Sequence, residues 1–332
     1  MNLILLRFSE LEDGNSSSAH ESCTGNSPKR HKGTANHAAA PTKVVHLKGT
    51  DARARHIAQH LRKRTGDRVS VGIINGSKGK AIVNVDDTSD KDEGESTKKN
   101  KGGANVTLEL TFDPNANCPT QQPEMTLILA IPQPKRLQKL WSVISQMGVT
   151  RIILIRAKLS PFGTHCQSTK FNEETYRALI EEGMAQGAHT REVRVDVEVD
   201  EVISPAVLQR LGLSRNDNDD DDNNAKCQAR LFLDCGDESG MVVPPARDAV
   251  MLACASSDAN ANEVHVAASV PPSAVLAIGP ERGWTEEEAR LFQDVGGFRM
   301  ASLGPSILRV DVAVVAGLAV VSAALDEADS SP

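Results

Sequence analysis

The spacing of apolar residues changes period along the chain, and each change marks an element. Residues 2–8 form a short apolar run that predicts a strand. Residues 12–42 carry Ser, Asn, Gly and Ala without an apolar period and read as a flexible insertion. Order resumes at Val44, Val45, His46 and Leu47. In residues 51–64, DARARHIAQHLRKR, the residues Ala54, Ile57, Ala58 and Leu61 recur at helical spacing. Thr65, Gly66 and Asp67 predict a turn, and residues 68–74 alternate as a strand. Asn75-Gly76 signals a hairpin whose return strand is 80–85. A second polar insertion follows, and Val106, Leu108, Leu110 and Phe112 alternate again. Short strands around one helix predict a small β-barrel domain over residues 1–113, with insertions near 12–42 and 86–104. Prolines 114, 119 and 123 mark a linker, 114–124.

From residue 125 to residue 327 the pattern becomes that of an α/β domain. Residues 125–131 read as a buried strand closed by Pro132. Leu140, Trp141, Ile144 and Met147 mark one helical face, and Gly148 stops that helix. Residues 151–155 are the next strand, and 172–185 a helix with Asn172 as N-cap. Residues 192–199 alternate, and 201–211 predict a helix. An acidic Asn/Asp insertion lies near 215–226. Residues 231–234 and 274–278 are strands, joined by an Ala/Ser/Asn-rich connection. Strands alternating with helices predict a largely parallel sheet covered on both faces.

Composition sharpens this picture in three ways. Aromatics make up only 3%, so burial is expected to fall mainly to Val, Ile, Leu and Ala. The six cysteines, Cys23, Cys118, Cys166, Cys227, Cys235 and Cys254, include no C-x-x-C pair and no metal spacing, which predicts reduced thiols and no metal site. The net charge of −7 hides an asymmetry: residues 1–80 hold fourteen Lys and Arg against six Asp and Glu, a local +8, so the remainder carries −15. A basic first domain fits either a phosphate-backbone partner or a generic basic surface. The longest apolar stretch, 312–325, is too short to span a bilayer and reads as a buried helix, so no membrane association is expected. The first ten residues lack a cleavage site and an Arg/Ser-rich amphipathic pattern, so the expected location is the cytoplasm, with an organelle as the alternative.

Candidate chemistry concentrates in residues 277–309, AIGPERGWTEEEARLFQDVGGFRMASLGPSILR. A strand ends at Ile278, Gly279 and Gly283 frame a tight turn, and Thr285 with Glu288 forms a capping box for the next helix. Glycines let a ligand approach the backbone. The second loop, LGPSILRVD from Leu303, sets Arg309 and Asp311 at the start of an apolar helix. Charges there are costly unless paired or used. Arg309 and Asp311 therefore read either as a helix-start pair or as a substrate-holding arginine with its carboxylate. Around Gly76-Ser77-Lys78-Gly79-Lys80 no P-loop is present, and no strand-linked G-x-G-x-x-G exists. His165 and Cys166 are adjacent in a loop, a poor arrangement for a nucleophile and its base.

Four stretches resemble the bacterial ribosomal RNA small subunit methyltransferase E family of the SPOUT superfamily. They are MNLILL at the start, HLRKRTGDRV with GIING at 60–76, LILAIPQPKRLQKLWSVISQMGVTRIILI at 127–155, and IGPERGWTEEE through SLGPSILRVDVAVVAGLAVV at 278–321. The resemblance implies a PUA-like N-terminal barrel and a SPOUT domain with a deep trefoil knot. It implies a homodimer that methylates N3 of one uridine in small-subunit ribosomal RNA, using S-adenosylmethionine and no metal. Cofactor contacts would come from Leu129, Ala130, Ile131 and Pro132; from Ile278, Gly279, Pro280, Glu281 and Gly283; and from Leu303, Gly304, Ile307, Leu308 and Arg309. Arg309 would stabilise or orient the uracil anion, with Asp311 or Glu281 as candidate proton acceptor. Arg7, Arg62, Lys63, Arg64 and Arg68 would contact RNA. The sequence departs from the family at Arg282, where a glycine is usual, and at Val310-Asp311 in place of Thr-Glu. It departs also at Ala185-Gln186-Gly187-Ala188-His189, in place of a Glu-Gln-Ser-Gly-Arg motif that supplies polar groups near the site. These departures leave open another RNA substrate, or an RNA-binding scaffold without catalysis.

Overall fold

A computed structural model describes residues 3–13, 43–86, 103–115, 123–161, 172–215, 228–234, 243–258 and 272–330. The cores of the three expected insertions (14–42, 87–102 and 216–224) lie outside the described residues, as do His165, Cys166 and every cysteine except Cys254, which is buried and in no disulfide. The chain divides into two compact units, Met1–Cys118 and Pro119–Pro332.

The first unit is one six-stranded sheet: β1 (Ile4–Leu6), β2 (Glu12–Asp13), β3 (Lys43–Leu47), β4 (Arg68–Ile73), β5 (Lys78–Asp86) and β6 (Asn105–Leu110). The order is β1-β4-β5-β6-β3-β2, parallel at β1/β4 and antiparallel elsewhere. Six strands side by side span about 24 Å. The link from Leu6 to Glu12 reaches at most about 21 Å and is shortened by a 3-10 turn at Phe8–Glu10. The sheet must therefore bend rather than lie flat. Its alternating inward residues, including Val69, Val71, Ala81, Val83, Val106 and Leu108, form one core with Leu6, Ala54 and Ile57.

The helix expected over 51–64 is shorter than its apolar spacing suggests. Asp51 caps α1 (Ala52–Arg55), a π-helical segment runs over His56–His60, and Arg62 turns left-handed at φ 51°. Arg53 then locks the helix start to the sheet. Its guanidinium donates to both Glu10 carboxylate oxygens at 2.6 and 3.0 Å, to Asp51 at 2.8 and 3.2 Å, and to the Leu5 carbonyl at 3.0 Å.

The second unit carries β7 (Glu124–Ala130), β8 (Arg151–Arg156), β9 (Arg194–Val202), β10 (Gln228–Leu233), β11 (Ser273–Ile278) and β12 (Arg299–Ala301). They form an all-parallel sheet in the order β12-β10-β11-β7-β8-β9. Ile128, Ile153, Phe232, Val275 and Ala277 point to one face. There they pack with α4 (Pro205–Arg210) and with Trp284, Phe292 and Phe298 around α6 (Glu286–Asp294). Phe292 stacks on Phe232 at 5.8 Å and meets Trp284 and Phe298 edge-on at 4.9 and 5.1 Å. A second buried pair, Trp141 and Tyr176, stacks at 4.9 Å elsewhere, and most of the remaining buried side chains are Leu, Ile, Val and Ala. The opposite face holds α2 (Pro134–Gln146), α3 (Glu173–Gly187), α5 (Ala246–Asp258) and α7 (Val310–Asp329).

Most expected elements are present, with four corrections. Residues 201–202 extend β9, and the helix begins only after Ser204, whose side chain caps Val207 N, with Pro205 in the first turn. The connection between β10 and β11 contains α5, hidden by its weakly patterned Ala and Ser. The short strand β12 joins the sheet edge beyond the Gly296-Gly297 turn. α7 is not buried all round: Val312 is 48% and Val315 40% exposed.

Burial alone would raise the Glu10 and Asp51 pKa values. Hydrogen bonds from Arg53 and from backbone amides outweigh it, and both carboxyls titrate below their ordinary range. A depressed folded pKa gives stability that is complete above the unfolded value of about 4 and is lost as pH falls through the folded value. Protection factors of the β1 and α1 amides in the full chain, corrected for intrinsic exchange, should therefore fall below about pH 4. Arg53→Met should cost about 2 kcal/mol at neutral pH and flatten that acid dependence. An unchanged acid profile in the variant would refute the network's role.

Candidate functional site

The parallel register brings three strand ends side by side: Leu233 of β10 and Leu129 of β7 both pair with Ile278 of β11. Ligand crevices form at such carboxyl ends. After β11 the chain turns through Gly279 to Gly283. A Cβ on Gly279 would stand 3.1 Å from the Trp284 indole, and Gly283 adopts φ 75°, a left-handed conformation that side chains disfavour. The Gly283 amide closes the turn on the Pro280 carbonyl at 2.9 Å. Thr285 and Glu288 form the expected capping box. Glu288 is only 4% exposed, and its second oxygen accepts the Lys158 amide at 2.7 Å, which ties the segment after β8 to α6. The other loop follows β12, where Gly304 adopts φ 114° and exchanges hydrogen bonds with Ser302.

These loops and the end of β10 enclose one cavity. It is lined by Leu233, Asp234, Ile278, Gly279, Pro280, Glu281, Gly283, Leu303, Gly304, Ser306, Ile307, Leu308, Val310 and Ala313. The second and third groups of sequence-expected cofactor residues therefore converge, apart from Arg309. The first group does not line the cavity: Leu129 and Ala130 end the central strand β7 and Ile131 follows it, all three fully buried, and Pro132 is buried beside them. Leu233, Asp234, Val310 and Ala313 were not expected, and Ser306 falls within the expected loop from Leu303 to Arg309. An acidic residue directly after a strand that ends beside β11 is the sequence signal for Asp234. Ile307 is 88% exposed at the cavity mouth, an uncommon position for so large an apolar side chain.

Arg309 is the N-cap residue of α7 and opens onto a different surface, the groove between α2 and α7. The groove is lined by Lys135, Arg136, Lys139, Leu140, Val143, Arg309, Asp311, Val312 and Val315, among others. Arg309 Nη2 donates to Asp311 Oδ2 at 3.3 Å, and its Nε lies 3.3 Å from Oδ1. Oδ1 is nevertheless buried and has no hydrogen-bond partner among the described residues. Both readings of this pair from the sequence therefore remain physically available: it is formed, and it is loose. Glu281 is differently placed, held at 2.5 Å by Arg136 Nη1 on the first turn of α2. As the next residue after Arg309, Val310 makes the cavity wall and the groove neighbours.

Two expectations about remote residues change. Residues 185–189 close α3, which runs antiparallel to the strands, so they sit at the amino ends of the sheet, away from the cavity. There Ala188 takes φ 56°, and the His189 ring packs against the end of α2, with Nε2 3.1 Å from the Gln146 carbonyl. Arg62, Lys63, Arg64 and Arg68 gather where β4 begins, with the Arg64 amide donating to Asp67 at 2.9 Å. Arg7 lies at the other end of the β1/β4 pair, beyond Leu6 opposite Ile73, so the register separates it from that cluster. Among the described residues no group of three or more His, Cys, Asp and Glu could hold a metal ion, and no helix is long and apolar enough to cross a membrane.

Residues 120–231 and 235–322 match the model of the RNA methyltransferase domain family. Ribosomal RNA small subunit methyltransferase E of Treponema pallidum (strain Nichols) is 24% identical over 284 residues, 84% of this chain and 87% of that protein. A methyltransferase of Legionella pneumophila, solved with its bound cofactor SAM, superimposes with a TM-score of 0.55 at 18% identity, covering 86% of this chain and 93% of that one. A probable rRNA-methyltransferase of Porphyromonas gingivalis gives 0.54 at 18% identity, covering 84% and 93%. These two structures share the fold. With the family model matched on both sides of the cavity, the chain belongs to the RNA methyltransferase family its motifs resemble, that of ribosomal RNA small subunit methyltransferase E.

Proposed function

We propose that this protein transfers a methyl group from S-adenosylmethionine to N3 of a uridine in small-subunit ribosomal RNA. The observation that carries the reading is the convergence of both Gly-Pro loops and the β10 end on one cavity, with Arg309 one residue from its wall. The cavity suits the cofactor. Gly279, Gly283 and Gly304 allow close backbone approach, Ile278, Leu303, Leu308 and Val310 offer apolar surface to a purine, and Asp234 offers a carboxylate to hydroxyl or ammonium groups. The Legionella relative of the same fold was solved with SAM bound.

When bound, the cofactor supplies an electrophilic methyl on a sulfonium, so the protein's main task is to position two reactants. Uracil N3 is protonated at neutral pH and must lose that proton to react. Arg309, 65% exposed at the groove, is free to swing toward the target and stabilise the uracil anion. Asp311, with one oxygen unsatisfied, is the better proton acceptor; Glu281 is committed to Arg136.

The same reading includes a PUA-like barrel for the first unit, supported by its bent sheet, and a linker at 114–124. It includes a trefoil-knotted SPOUT domain for the second, supported by the return of α7 from the edge strand β12 across β11. It also includes a homodimer that would cover the exposed apolar stripe of Val312 and Val315. The protein would act in the cytoplasm or in an organelle that holds its ribosome. Arg62, Lys63, Arg64 and Arg68 would form the RNA contact, with Arg7 outside it.

Arg309→Ala should leave cofactor affinity by calorimetry within about twofold and lower methyl transfer by about 10²–10³; turnover like the parent's would exclude Arg309 from the chemistry. Each phosphate contact removed, as in Arg62→Ala or Arg64→Ala, should reduce the slope of log affinity against log salt by about 0.7–0.9, and an unchanged slope would remove these residues from the interface. Mapping methylated uridines in small-subunit rRNA with and without the gene tests the substrate, and no difference at any uridine would refute it.

A further inference from the structure

We infer that Arg136 is a positioning residue of the methyl-donor cavity, holding the apex of the Gly279–Gly283 turn in its binding conformation through Glu281. This rests on reading the cavity as the cofactor site. The turn is intrinsically soft, because two of its five residues are glycines. Its far end is well anchored: Trp284 lies under Gly279, Thr285 and Glu288 cap α6, and the Lys158 amide reaches Glu288. Those anchors act from residues after Gly283, and the Gly283 amide closes the turn on the Pro280 carbonyl without engaging the Glu281 side chain. The apex is held from the other side of the crevice, where Arg136 Nη1 meets Glu281 Oε1 at 2.5 Å.

The electrostatics of α2 argue that this contact is not incidental. Lys135 and Arg136 occupy the first turn of α2, which contains no acidic residue, and a cation at a helix amino terminus opposes the helix dipole. Glu281, 145 residues away, supplies the missing negative charge. The two side chains are 28% and 29% exposed, sheltered enough for a charge-assisted hydrogen bond to count. Arg136 also lines the groove that contains Arg309 and Asp311, so one side chain touches the rims of both the cavity and the groove.

The test uses the full-length protein, with S-adenosylmethionine as calorimetric ligand. Arg136→Met and Glu281→Gln should each weaken binding about tenfold, and the double variant should be no weaker than either single one. In Arg136→Met the KM for the cofactor should rise by a larger factor than kcat at saturating cofactor falls. Arg136→Lys should retain most of the affinity. Thermal midpoints within about 3 °C of the parent separate positioning from unfolding, and Glu281→Gln carries the same test should Arg136→Met fail to fold. Unchanged affinity in these variants, or additive losses, would overturn the inference alone. A parent protein that does not bind the cofactor would overturn both this inference and the cavity reading beneath it.

Discussion

The in-register parallel pairing of β10, β11 and β7 is the constraint on which the rest of the second unit depends. Parallel strands need crossovers, so every connection leaves the sheet at the carboxyl ends and returns at the amino ends. Because Leu233, Ile278 and Leu129 share one register, the segments that follow them start at one level. A slip of one residue would exchange the faces of Phe232 and Leu231, taking Phe232 away from Phe292 and pointing Leu231 into the aromatic cluster. Aromatic packing on one face thus helps to hold the cavity in place on the other.

Within that frame the cavity combines apolar side chains such as Ile278, Leu308 and Val310 with glycine-rich turns. Its turns depend on glycines where left-handed conformations occur, and on long-range ties that stiffen them: the Lys158 amide to Glu288, and Arg136 to Glu281. Arg309 and Asp311 face the groove, whereas Asp234 and Glu281 are the charged residues in the lining of the cavity. The departure at residues 185–189 loses much of its functional weight, because α3 carries it to the amino ends of the sheet. Nothing in the structure explains why Arg282 replaces a glycine.

Much of this was legible in the amino-acid order. The strand–turn–helix of 274–288, the caps at Asn172 and Thr285, the stop at Gly148 and the Asn75-Gly76 hairpin all follow from local rules, since each is decided within a few residues. The family motifs likewise lie in contiguous stretches and identify the two Gly-Pro loops as partners. Local rules failed where the signal was weak or overruled. Ala- and Ser-rich α5 has little amphipathic pattern, residues 201–202 were drawn into β9 by its pairing with β8, and helix 51–64 was cut short by the left-handed Arg62.

What the sequence by itself determined is therefore the inventory: which segments are strands and helices, which turns need glycine, and which charged residues stand beside them. Only the tertiary structure decided which of those residues meet. It separated Arg7 from the basic cluster, buried Leu129 to Pro132, moved Arg309 to the groove, and joined Arg136 to Glu281 across 145 residues. The physical reason is that side-chain period and capping are local properties of the chain. Strand order and register are set by burial summed over the whole sheet, and no single segment carries that sum.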